Sequence, residues 1–154
     1  MTPSCRAFLY KHVARAEGYS EVIYPDSKGI ATIGIGHNVE ARPLSGEFLA
    51  YFNQYGRLSK ELVYKLLDID LAGAISDARK LFPRIDSFTE SRQVALYDLV
   101  YNMGYTKLNV QFQPTIAHVN AGEWEQVASH LEKTAWYGQV GKRGPRVVAL
   151  LRFG

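Results

Sequence analysis

The sequence predicts an α+β fold in which helices dominate, and three observations carry that expectation. Apolar residues recur at three- and four-residue intervals along most of the chain, the period of a helix with one buried face. One stretch breaks the pattern. There, two apolar runs at 22–24 and 30–35 flank five turn-forming or polar residues, the mark of a β-hairpin. Finally, no repeat, low-complexity tract or disordered linker interrupts the chain, so one hairpin set among helices forms a single domain over 1–154.

The first helix is expected over 5–18, where Phe8, Leu9, Val13 and Ala16 share a stripe and Gly18 is the stop signal. Beyond the hairpin and a loop at 38–46, a short helix is expected near 47–55, punctuated by Gly56. Ser59 reads as the N-cap of a long helix reaching about residue 82, closed by Pro83. Its apolar residues (Leu62, Val63, Leu66, Leu67, Leu71, Ala74, Ile75 and Ala78) keep helical period. Asp70 falls inside that stripe. A buried aspartate needs a charged or hydrogen-bonding partner, and His37 is the candidate. A second buried helix is expected from Thr89, its N-cap, to Met103, with Ala95, Leu96, Leu99, Val100 and Met103 as the core face and Gly104 as the stop. Shorter helices are expected at 114–120, 123–133 and 145–152, the last with Pro145 at its first helical position.

Composition bounds the function. Hydrophobic residues make up 47% and charged residues 21%, an ordinary balance for a soluble globular protein. No apolar run approaches the roughly 18–20 residues of a membrane span, and the N-terminal segment lacks the apolar core of a signal peptide. Export by a standard route is not expected. The single cysteine, Cys5, excludes an internal disulfide and fits synthesis in a reducing compartment. The four histidines (His12, His37, His118 and His130) lack metal-ligand spacing, and no glycine-rich phosphate loop follows a buried strand. Neither a metal nor a nucleotide cofactor is expected. Net charge is +3, with five Lys or Arg and no acid over 133–154, against 13 basic and 15 acidic residues before that. A basic end attracts polyanions, which nucleic acid, an acidic cell envelope and anionic lipid all satisfy.

The chemistry concentrates in 17–37, EGYSEVIYPDSKGIATIGIGH. Glu17 lies in the last turn of the first helix, where the helix dipole disfavours a carboxylate, and on the margin of the apolar stripe, where it is partly desolvated. Both effects favour the protonated form that a general acid requires. Asp26 lies in the hairpin turn, a position where aspartate is commonly structural. The strand after it shifts the balance. With period-two alternation, Ile30, Thr32, Gly34 and Gly36 share one face, nearly stripped of side chains, while Ala31, Ile33 and Ile35 form a core face. The stripped face implies close approach of a polymer ligand over Gly34 and Gly36, with Thr32 and Asp26 beside it.

Glu-Gly, then Tyr-x-Asp-x-x-Gly, then Thr-Ile-Gly-x-Gly-His resembles the active-site signature of the phage-type lysozymes, glycoside hydrolase family 24. The resemblance implies two lobes, a small N-terminal one with the hairpin and a helical C-terminal one, joined by the long helix with a cleft between them. It implies that Glu17 is the general acid and that Asp26 and Thr32 hold the attacking water, an inverting hydrolysis. It also implies an Asp70–His37 pair with a structural role. By position, Asn38, Tyr101, Thr115 and His130 match the family's substrate contacts. Arg143, after Trp136-Tyr137, would lie near Glu17 and stabilise its ionised form, opposing the effect of burial.

The expected protein is therefore a muramidase that cuts the β-1,4 bond between N-acetylmuramic acid and N-acetylglucosamine in peptidoglycan. Its setting would be that of a monomeric phage endolysin, held in the host cytoplasm until the membrane is permeabilised and drawn by charge to the anionic envelope. A lytic transglycosylase would have no task for a water-holding pair such as Asp26 and Thr32. A catalytically silent peptidoglycan-binding or phage structural module is the alternative from another class. A nucleic-acid-binding module rests only on basic charge and ten tyrosines, without a recognisable motif, and nucleic acid is not expected as a partner.

Overall fold

The computed structural model describes every residue from Met1 to Gly154. The chain forms nine α-helices and one small antiparallel sheet, in the order α1 (Pro3–Glu17), β1 (Ser20–Pro25), β2 (Ala31–Gly34), β3 (His37–Asn38), α2 (Gly46–Tyr55), α3 (Lys60–Leu81), α4 (Glu90–Met103), α5 (Tyr105–Gln111), α6 (Gln113–Ala121), α7 (Trp124–Glu132), α8 (Ala135–Gln139) and α9 (Arg143–Phe153). This is the helix-dominated α+β class read from the sequence. No helix is long and apolar enough to cross a membrane.

The chain forms two compact units, and the divisions fall inside α1 and α3. One comprises Val13–Ala72; the other comprises Met1–His12 with Gly73–Gly154. Grouping the first twelve residues with the C-terminal helices was not legible from periodicity. The contacts explain it. Thr2 and Ser4 donate to Glu90, and the buried Cys5 thiol donates to Gln93 across 3.7 Å. Burial pushes that thiol's pKa up, which leaves it an inert core residue and not a nucleophile.

In the Val13–Ala72 unit the sheet order is β1-β2-β3, one strand more than the expected hairpin. The register pairs Tyr24 with Thr32 and Thr32 with Asn38, so these three form one row across the sheet. Between Ser20 and Tyr24 the β1 register slips in a bulge. The Ser20 hydroxyl occupies that bulge, donating to the Val22 carbonyl and accepting from the Val22 amide. Val13, Ile33, Ile35, Leu58, Val63, Leu67 and Leu71 supply a nearly dry core, each at most 2% exposed. Full burial of such a side chain contributes roughly 1.5–3 kcal/mol.

Ser59 caps α3 as expected, accepting from the Leu62 amide at 3.2 Å, and Asp70 faces into the unit. Its Oδ2 lies 2.7 Å from His37 Nδ1, and its Oδ1 3.0 Å from Arg42. On the far side of the ring, His37 Nε2 donates to the Arg42 carbonyl at 2.8 Å. Both ring nitrogens thus face acceptors. The pair ties β3 to α3 and stands apart from the hairpin turn. Asp70→Asn should therefore cost about 2–3 kcal/mol in urea denaturation, with Arg42 adding little because its side chain is half exposed. Activity per folded molecule should stay at the wild-type level; a stable but inactive variant would assign Asp70 a chemical role instead.

The other unit is organised around α4. Its N-cap is Thr89, accepting from the Arg92 amide, and Gly104 ends it, donating to the Val100 carbonyl. Every residue over 93–100 is buried, including Gln93, Tyr97 and Asp98, so the single core face expected from periodicity is too narrow. A helix packed on all sides buries its whole circumference, and of the expected core face only Met103 is half-buried. Helix α9 packs on both α4 and α7. It begins at Arg143, two residues before the expected Pro145. The proline still sits in the first turn, where a missing amide donor costs nothing.

Candidate active site

Glu17 is the final residue of α1, half-buried, with Gly18 behind it in the left-handed conformation (φ 77°) and donating back to the Ala14 carbonyl. Its carboxyl lies against the backbone of Gly36. A methyl group at that glycine would stand 2.7 Å from both Cδ and Oε2 of Glu17. Only glycine leaves room.

This corrects the reading of the stripped strand face. Gly34 and Gly36 both have positive φ, 70° and 73°, because the chain reverses over Gly34, Ile35 and Gly36 to start β3. Their lack of side chains serves that turn and, at Gly36, the seat of Glu17. The Gly34 position faces Val63 and Leu66 of α3. The core assignment stands: Ile33 and Ile35 are at most 2% exposed. Gly36→Ala should lower stability by about 1–2 kcal/mol through the left-handed backbone and push the Glu17 carboxyl aside. Misplacing a reacting group by an ångström costs up to roughly 10²-fold in rate, so activity should fall well beyond the stability loss. Rates compared at equal folded fraction check this.

Asp26 organises the β1–β2 turn. Its Oδ1 accepts from the Lys28 amide at 2.8 Å and the Ile30 amide at 2.9 Å, while its own amide donates to the Ile30 carbonyl. The structural role expected of a turn aspartate is thus real, but it uses one carboxylate oxygen. Oδ2 lies outside these bonds. Thr32 is buried, and its hydroxyl donates to the Ile30 carbonyl at 2.8 Å. With the proton committed there, the lone pairs of Oγ1 can only accept.

Tyr24 stands on β1 opposite Thr32. Its half-buried phenol has its pKa raised by burial first and then by the charges of Glu17 and Asp26. Beside it, Ile23, Tyr24, Pro25, Gly29, Ala31 and Glu40 line an open groove of about 410 Å³.

The remaining expected site residues divide. Asn38 sits on the Tyr24–Thr32 row, half-buried, with its Oδ1 accepting from the Ala41 amide. Tyr101 is half-buried near the end of α4. Thr115 is fully buried, its hydroxyl 2.6 Å from His130 Nδ1, so it presents no surface to a sugar. It ties α6 to α7, which corrects its expected role; His130 is half-buried in the same link.

Arg143 is buried. It grips Asp98 through two hydrogen bonds, Nε to Oδ2 at 3.0 Å and Nη2 to Oδ1 at 2.5 Å. His12 Nε2 joins the same carboxylate at 3.2 Å. Burial alone would raise the Asp98 pKa, but the bonds from His12 and Arg143 overcome it and hold it below the ordinary value. Asp98 and His12 were missed in the sequence, although a signal existed. Asp98 interrupts the otherwise apolar 94–100 run, and His12 falls on the stripe of Leu9 and Val13. The basic end is also less cationic than its count implies, since Arg152 is paired with Glu125 and Glu132.

A family model described as phage lysozyme matches residues 14–151. The chain is 28% identical, over 91% of its length, to the pre-baseplate central spike protein Gp5 of Enterobacteria phage T4, of which it spans 27%. It is 25% identical to the probable T4-type lysozyme 2 of Dictyostelium discoideum, over 90% of this chain and 89% of that one.

Proposed function

We propose that this chain, which belongs to the phage lysozyme family, is a muramidase that hydrolyses the β-1,4 bond between N-acetylmuramic acid and N-acetylglucosamine in peptidoglycan. One observation carries the reading: the Glu17 carboxyl lies against Gly36, just past the hairpin that holds Asp26 in its turn and Thr32 on β2. A general acid at the end of α1 and a water-holding pair on the hairpin that follows are the parts an inverting glycosidase needs.

In this mechanism protonated Glu17 donates to the glycosidic oxygen as the bond to the anomeric carbon breaks. A water on the opposite face of the sugar gives one proton to Asp26 and directs its other hydrogen to Thr32 Oγ1. That leaves a lone pair aimed at the anomeric carbon. Thr32 suits this task because its own proton is spent on the Ile30 carbonyl, so it accepts from the water and cannot compete to donate. Asp26 is held by the Lys28 and Ile30 amides through Oδ1, which leaves Oδ2 for the water. Asn38, on the same row as Thr32, is one of the expected sugar contacts, and Tyr101, His130 and Arg143 stay in the proposal as the others. No cofactor is required.

Analysis of the soluble products tests the reading. Hydrolysis releases ordinary reducing-end N-acetylmuramic acid with inverted configuration; anhydro ends would instead mean transglycosylation, and no release would mean a silent binding module. A lysis role, with the enzyme held in the host cytoplasm until the membrane opens, is the setting we propose. The likeness to a spike protein supports a second setting, the same chemistry carried on a phage particle. Immunodetection in purified particles against infected-cell cytosol separates the two.

A further inference from the structure

The Tyr24 phenol is not absorbed by the acid, the base or the water-holding hydroxyl. It stands opposite Thr32 in the register, in the row that ends at Asn38. Tyr24 also lines the open groove, together with Ile23, Pro25, Gly29, Ala31 and Glu40. Resting on the muramidase reading, we infer that Tyr24 is a substrate-positioning residue. Its hydroxyl donates a hydrogen bond to an oxygen of the sugar unit whose bond is cut, while its ring forms the wall against which that unit lies.

The chemistry of the position supports a donor. Burial first, and the charges of the nearby acids second, keep the phenol protonated through the working range of a cell-wall hydrolase. No hydrogen bond contributes to holding that proton, so the O–H is available to a ligand. A sugar hydroxyl or acetamido carbonyl is the complementary acceptor. An aromatic flank with a polar tip suits a pyranose, which is apolar on its ring face and polar at its edge.

Steady-state kinetics on a defined soluble glycan oligomer test this, using wild type, Tyr24→Phe, Tyr24→Ala, Glu17→Gln and Asp26→Asn. Tyr24→Phe keeps the ring and removes only the donor. It should lower kcat about five- to tenfold with KM within about twofold and an unchanged thermal midpoint. Tyr24→Ala should lose the ring wall as well, raising KM in addition. Wild-type kcat in Tyr24→Phe overturns the inference, as does a change confined to KM or one tracking a lowered thermal midpoint. If Glu17→Gln and Asp26→Asn are fully active, the muramidase reading itself fails; if they are inactive and Tyr24→Phe is not, only the role of Tyr24 fails.

Discussion

Glu17→Gln and Asp26→Asn each leave a folded protein whose cleavage of purified peptidoglycan falls by about 10²–10⁴-fold, the range a single acid or base supplies. Both substitutions preserve shape, so the loss belongs to proton transfer. Glutamine at 17 keeps the side chain against Gly36 but cannot protonate a leaving oxygen. Asparagine at 26 can still accept from the Lys28 and Ile30 amides through its carbonyl oxygen, so the turn survives. What it loses is the second carboxylate oxygen, the one left for water. Circular dichroism establishes the fold, and turbidity loss with reducing-end release reads the rate. Full activity in either folded variant would remove that residue from the chemistry.

Asp98→Asn carries the largest expected loss of stability, about 3–5 kcal/mol, because it removes the buried carboxylate that Arg143 grips through two hydrogen bonds. The amide can accept one bond but cannot neutralise Arg143 or balance His12. The pH dependence has a definite sign. A carboxyl held below its ordinary value when folded contributes stability that is fully present above the unfolded value of about 3.9. That contribution is lost as pH falls through the folded value. The gap between wild type and Asp98→Asn should therefore be widest near neutrality and shrink below about pH 4. Denaturant titrations at several pH values measure it, and a gap independent of pH would mean that charge pairing is not its source.

These two predictions come from opposite ends of what a sequence can reveal. The hairpin was legible because its logic is local. Pro25, Asp26 and Gly29 make the turn by short-range hydrogen bonding, and alternation places Ile33 and Ile35 in the core. The caps at Ser59 and Thr89 and the stop at Gly104 obey equally local rules, and the structure has each of them. Where a local rule had two physical causes, pattern alone chose wrongly. A glycine-rich strand face can serve a ligand or a tight reversal, and the φ angles of Gly34 and Gly36 select the reversal. The third strand and helices α5 and α8 were missed because two, seven and five residues are too few for a period to be read.

By itself the sequence determined the fold class and the burial of Asp70, which follow from periodicity, while the resemblance over 17–37 supplied its histidine and the candidacy of Glu17, Asp26 and Thr32. Tertiary structure alone decided that the first twelve residues join the C-terminal helices, that Arg143 and His12 converge on Asp98 across 45 and 86 positions, and that Thr115 is sealed inside. The reason is burial. It depends on which faces meet after the chain folds back on itself, a quantity carried by distant residues and by no short window of sequence.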